Sequence, residues 1–247
     1  MNKLLSLVWI AICLTMVGCG PLAEKKEKRS KKKDGLVEQY REDGKLKTSI
    51  NLKNGKRHGL AKSYYKSGSL RQQIDYVNNV KHGLAITYYE NGKKHQETPY
   101  YNGEIHGIQK KYRLNGDIMA EVPYNNGQPC AGLVEYLLNG EKKKQYPAIN
   151  IRSVDKLITS NEYSLVLSLS NGSKHVEFYS GQLTDEGCLP HYAITLGETA
   201  PGEIEVRYEL PEQHFVMEEL HFIAKVKTRL GNPYIIETSH YLAIENK

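Results

Sequence analysis

GLAITYYENGKKHQETPYYNGEIH, residues 83–106, decides the fold. It holds two extended stretches, each closed by a glycine-bearing turn, Glu90-Asn91-Gly92 and Asn102-Gly103. Asn and Gly tolerate the positive φ values that tight hairpin turns demand, so the segment reads as a β-hairpin. Leu84, Ile86 and Tyr88 alternate along the first strand, which makes them its expected apolar face. In the second strand of the neighbouring units the same parity gives Leu70, Gln72, Ile74, Tyr76 and Ile118, Ala120, Val122, Tyr124. Period-2 spacing of this kind is what a half-buried strand requires. Pro99 and Pro123 occupy equivalent places in the second strand and cannot donate to a ladder, so a bend, a bulge or a missing donor is expected there.

The unit recurs. Gly44, Gly68, Gly92, Gly116 and Gly140 fall every 24 residues, and so do Tyr40, Tyr64, Tyr88, Tyr112 and Tyr136. Gly35, Gly59, Gly83 and Gly107 keep the same interval until the pattern frays at Ala131-Gly132. Periods of this length mark repeat architectures. The tandem of G-x-x-x-x-Y-x-x-x-G, an Asn-Gly turn and Lys-x-His-Gly resembles the bacterial MORN-repeat variant of YwqK-type proteins, over residues 35–146. The resemblance implies an elongated antiparallel β-meander with these Gly and Tyr positions as scaffold and no catalytic residue. It also brings an association with antitoxin components. Asn79 departs from it where other units have Gly55, Gly103 and Gly127, as does Cys130 where they have His58, His82 and His106.

After Tyr146-Pro147 the 24-residue interval stops. Strand candidates follow at residues 148–154, 163–169, 175–179, 191–196, 203–209, 219–228 and 234–243, separated by turn clusters such as 197–202 and Gly231-Asn232-Pro233. Seven short strands in about 100 residues predict an immunoglobulin-like or related β-sandwich. Residues 35–146 carry 18 basic and 11 acidic groups against 8 and 14 in residues 147–247, which supports two domains. The expected fold is therefore all-β, a meander of tandem 24-residue hairpins followed by a sandwich over residues 147–247.

The N-terminal region reads as an export signal. Lys3 precedes an apolar run of about 14 residues, which at helical rise covers roughly 21 Å, short of a bilayer core of about 30 Å. Residues 1–18 are thus expected to be a signal peptide. Met16-Val17-Gly18-Cys19 resembles the bacterial lipobox, which implies cleavage before Cys19, lipidation of that cysteine and a membrane partner held through the lipid. Gly20 is not the Asp that retains such proteins at the inner membrane, so the outer membrane is the expected site. Residues 19–34 then form a tether: residues 23–34 hold seven Lys/Arg and three acids with no apolar residue beyond Ala23, too little to fold. The basic balance, +6 overall, invites a nucleic-acid reading, but the excess is spread along the repeats of an exported chain and no nucleic acid is expected.

No nucleophile elbow, zinc-protease helix, phosphate loop or dinucleotide fingerprint is present, so neither a catalytic residue nor a cofactor is expected. His58, His82 and His106 recur in register, but equivalent positions two strands apart are separated by about 9.5 Å, too far for one metal ion. Cys130 and Cys188 form either a disulfide between the domains or two separate thiols. With 18 tyrosines against three phenylalanines, the pairs Tyr64-Tyr65, Tyr88-Tyr89 and Tyr100-Tyr101 place one ring on each face. Tyr65, Tyr89 and Tyr101, with Lys111 and Arg113, form a candidate binding face for a protein or glycan, set against the reading of a solvated sheet face. The function expected first is a noncatalytic envelope scaffold. An antitoxin or immunity role comes second, and a cell-wall or glycan hydrolase third.

Overall fold

A computed structural model describes residues 34–247, which form one compact unit. Cys19, the signal peptide and residues 19–33 of the tether lie outside the described residues.

The first sheet is an antiparallel meander. Its strands are β1 (Gly35–Tyr40), β2 (Leu46–Lys53), β3 (Lys56–Tyr64), β4 (Leu70–Val77), β5 (Val80–Tyr88), β6 (Lys94–Tyr101), β7 (Glu104–Ile105), β8 (Gly107–Tyr112), β9 (Ile118–Asn125), β10 (Gln128–Pro129) and β11 (Val134–Glu135). Each strand pairs with the next in sequence, except that β7 and β8 line up along β6, and β10 and β11 along β9.

Two kinds of turn alternate. On one edge Asn54-Gly55, Asn78-Asn79, Asn102-Gly103 and Asn126-Gly127 make two-residue turns with positive φ at both positions, where Asn79 (φ 74°) does what glycine does elsewhere. On the other edge the Gly92 N–H closes on the Tyr89 carbonyl at 2.9 Å with φ 84°, and the Lys93 N–H donates to the Asn91 side chain at 3.0 Å.

Pro99 lies where a bend, a bulge or a missing donor was expected. Its carbonyl accepts the His106 N–H at 3.1 Å, and His106 separates β7 from β8, which begins at Gly107 with φ 109°. A Cβ on Gly107 would stand 3.3 Å from the Pro99 ring, so the proline and the glycine exclude larger partners from each other.

The pairing corrects one reading. A two-residue turn pairs residues whose numbers sum to an odd value, as Val77 with Val80, so even positions of one strand face odd positions of the next. Ile74 thus sits opposite Ala85, not Leu84 or Ile86. Leu84, Ile86 and Tyr88 belong to the other face, in line with Gln73, Glu97, Lys110 and Glu121.

The remaining strands are β12 (Ile149–Lys156), β13 (Glu162–Leu169), β14 (Val176–Ser180), β15 (Ile194–Thr195), β16 (Ile204–Glu209), β17 (His214–Lys227) and β18 (Pro233–Asn246), with one helical turn, α1 (Leu157–Ser160), after β12. They form two sheets, β12-β13-β16 and β15-β14-β17-β18. That order, with the first, second and fifth strands in one layer and the third, sixth and seventh in the other, is the immunoglobulin-type arrangement, except that the fourth, β15, pairs with β14 instead of joining the first layer. Leu165, Leu167, Phe178, Phe222 and Leu242 are fully buried between the layers, each contributing about 1.5–3 kcal/mol. β17 and β18 are 14 residues each, against ten expected; the outer half of β18 still buries Leu242, Ile244 and Asn246 in alternation, while that of β17 exposes Phe215 and Met217 and packs only Val216 and Leu220 on the core.

Candidate functional site

The two clusters of packed buried hydrophobics among the described residues lie in the sandwich and at its junction with the meander, and the meander's own buried apolar residues, such as Ile86 and Val122, lie outside both. The meander is held differently. In each repeat the residue after the scaffold tyrosine reaches one repeat onward and donates to the carbonyl of the next scaffold tyrosine. Arg41 bonds the Tyr64 carbonyl at 2.7 Å, Tyr65 that of Tyr88 at 2.6 Å, Tyr89 that of Tyr112 at 2.7 Å and Arg113 that of Tyr136 at 2.6 Å.

These rungs reassign most of the candidate binding face. Tyr65, Tyr89 and Arg113 are half-buried ties between repeats. Lys111 is turned to the sandwich, where its Nζ donates to the Asn232 side-chain oxygen at 2.7 Å. Only Tyr101 of that set is exposed, with its ring centroid 5.3 Å from that of His82 and 5.9 Å from that of His106. Tyr89→Phe should therefore cost about 0.5–1.5 kcal/mol by stranding the Tyr112 carbonyl, while Tyr101→Phe should stay within about 0.5 kcal/mol. Urea unfolding of the two variants side by side decides this; equal losses would contradict the assignment.

Scaffold tyrosines also tie carboxylates: Tyr112 donates to Glu97 at 2.8 Å and Tyr136 to Glu121 at 2.9 Å. Burial and then the Glu97 carboxylate push the Tyr112 phenol up to about 12. Glu97 itself is raised by burial, but Lys94 and Tyr112 outweigh that and hold it below its usual value. With Lys94–Glu97 and Lys110–Glu121 as ion pairs, this side of the sheet is a charged, internally matched surface.

The opposite face is different, and sequence reasoning missed it. Cross-strand pairing sets Gln39, Thr48, Ser63, Gln72, Thr87 and Gln96 in one row across six strands, continued by Lys111, Ala120 and Glu135. Beside it runs a row of small and aliphatic residues, Val37, Ile50, Ala61, Ile74 and Ala85. A groove of about 150 Å³ opens over Thr48, Ile50, Ala61, Ser63, Gln72 and Ile74. At its rim Arg57 lies over the Tyr76 ring, 4.3 Å from the centroid. The signal was available in the 24-residue spacing of Thr48, Gln72 and Gln96, once the odd positions Ser63 and Thr87 are set beside them.

At its far end this row is already occupied. The turn joining β17 to β18 sets Asn232 between Lys111 and Glu135, the cross-strand partners of Ala120. Asn232 is fully buried, accepts from Lys111, and donates from Nδ2 to Glu135 Oε1 at 2.8 Å. Thr228 donates to the same oxygen at 2.5 Å, and Lys143 pairs with Glu135 Oε2 at 3.0 Å. Burial raises Glu135, but Thr228, Asn232 and Lys143 together hold its carboxyl below the usual range. Burial holds Lys111 below its ordinary value against the pull of Glu135.

Cys130 and Cys188 are disulfide-bonded, so the sandwich is also joined covalently to the last repeat. Among the described residues no group of three His, Cys, Asp and Glu side chains is placed to hold a metal ion. What the face can do is hydrogen-bond and clamp.

No curated protein matches the chain. Residues 33–54, 57–78, 81–102 and 105–126 match the family model described as MORN repeat variant, and the match stops before the unit that carries Cys130. About a third of the chain thus consists of four MORN repeat variants, one for each of the first four hairpin units of the meander.

Proposed function

We propose that the chain is a noncatalytic lipoprotein of the bacterial cell envelope, anchored through Cys19, that binds another protein on the polar row of its MORN repeats. The observation that carries this is the Asn232 contact. The row already grips a turn from the sandwich by donor and acceptor groups on either side of a small residue. From Gln39 to Gln96 the same row offers hydroxyls and amides beside an aliphatic strip. Uncharged donors and acceptors flanked by aliphatic side chains suit a turn or an extended segment of a partner, since a peptide presents both kinds of group at fixed intervals. A protein partner is favoured over a glycan because the occupant the row does hold is protein.

Site-specific photo-crosslinking in intact cells tests the reading. Crosslinkers at Ser63, Gln72 and Gln96 should capture one protein, and those at Lys62, Gln73 and Glu97 on the charged face should not. Capture from the charged face alone, or from neither, would remove the proposal. Cys19→Ser should release the protein from the membrane fraction, and a variant that stays there contradicts the anchor.

A further inference from the structure

Immunoglobulin-type sandwiches present recognition loops at one end, including the connection between their second and third strands and that between the sixth and seventh. In this chain those connections are residues 170–175 and 228–232. The meander takes up one side of that end through Glu135. Beside it, residues 143–147 on their way into the sandwich leave a cleft of about 660 Å³, whose lining includes Lys143, Ser170, Asn171, Ser173, Lys227 and Arg229.

The chemistry of this lining is one-sided. No carboxylate lines the cleft. Lys143 is matched by Glu135, but among the described residues neither Lys227 nor Arg229 is in an ion pair. Two of its acceptors are already engaged, Ser170 Oγ by the Ala148 N–H at 3.0 Å and Asn171 Oδ1 by the Ser173 N–H at 3.1 Å, while the Gln145 amide adds one further donor group and one acceptor. As donors these groups still offer the Ser170 hydroxyl hydrogen, the Asn171 NH₂ and the Ser173 hydroxyl hydrogen. One wall is fixed, because the Tyr146 ring stacks on Tyr234 at 4.8 Å and its hydroxyl accepts the Glu135 N–H at 2.7 Å.

We propose that this cleft binds a small oxyanion of two or more negative charges, a phosphate ester or a polycarboxylate. Two cations with no carboxylate beside them repel a cation, and a lining in which donors outnumber acceptors leaves a neutral polar ligand half satisfied. A concave wall with unmatched cations concentrates anions, and the arginine fork takes two oxygens of one anion. The site is independent of the polar row of the repeats.

Calorimetric titration of the full chain with inorganic pyrophosphate and, separately, with citrate tests it. At least one should bind saturably, one per chain. Lys227→Ala/Arg229→Ala should weaken that binding by about tenfold or more, the loss expected from removing charge-assisted hydrogen bonds. Both residues are exposed, so the variant should keep the parent melting temperature. Lys47→Ala/Lys53→Ala, on the exposed meander, should bind as the parent does. Tighter pyrophosphate binding assigns a phosphate ligand and tighter citrate binding a carboxylate. No saturable binding of either probe, or equal binding by the Lys227/Arg229 variant, overturns the proposal.

Discussion

Glu135→Ala is expected to destabilise the folded chain by about 3–5 kcal/mol, the loss seen when one partner of a buried charged network is removed. Glu135 is 2% exposed and its two oxygens accept from Thr228, Asn232 and Lys143. Alanine leaves a buried hydroxyl and a buried amide without an acceptor, each costing about 1–3 kcal/mol, and leaves Lys111 and Lys143 facing each other's charge. Glu135→Gln keeps one acceptor and the volume but turns an NH₂ toward a cation, so it should lose less than alanine. For a folded unit of this size the alanine variant should melt roughly 6–20 °C lower. A loss below about 1 kcal/mol would mean that the sandwich is held to the meander by something else. Acid should act on the same contact. The Glu135 carboxyl is held below its ordinary value of 4.5, so its contribution is complete above that pH and is lost as the pH falls through the lower folded value. Amide exchange at Asn232 and Tyr234 should accelerate over that window in the parent and be already fast at neutral pH in Glu135→Ala.

The meander was legible because its turns leave little choice of residue. Positive φ at two successive positions admits Asn and Gly and little else, so the turn chemistry prints the period directly. The seven strands of the sandwich were legible for a related reason, each lying between breakers. The outer half of β17 was not, since Phe215, Met217 and the adjacent Glu218 and Glu219 follow no buried alternation.

The candidate binding face looked different in the sequence for a specific reason. Tyrosines and basic residues look like recognition groups, yet four of the five proposed ones bond the protein's own backbone or the sandwich. The row that remains open is made of Thr, Ser and Gln, which in sequence look like solvated filler. They become a surface only when the register of six strands is known, and register depends on a parity that the first strand's leucines concealed. The clamp on Asn232 joins residues 97 apart in the chain, and nothing local in Gly231-Asn232-Pro233 marks that turn as anything but a turn.

Removing the disulfide should cost about 4 kcal/mol in the chain-entropy account, because it closes a loop across a sequence separation of 58 residues. Its place at the junction decides where that loss appears. Cys130 follows the two-residue strand β10, and its neighbour Ala131 donates its N–H to the Gly187 carbonyl at 2.8 Å and packs on Tyr179, Ile223 and Ile235. On this side few backbone bonds join the meander to the connection between β14 and β15. On the Glu135 side the contact is a network of side chains that reduction does not touch. Cys130→Ala/Cys188→Ala, or the parent under reductant, should therefore lose amide protection across residues 181–193 while residues 228–232 stay protected at neutral pH. Glu135→Ala should show the reverse. If both segments lost protection together in either variant, the junction would open as one cooperative unit, and the sandwich would leave the polar row whenever the disulfide is reduced.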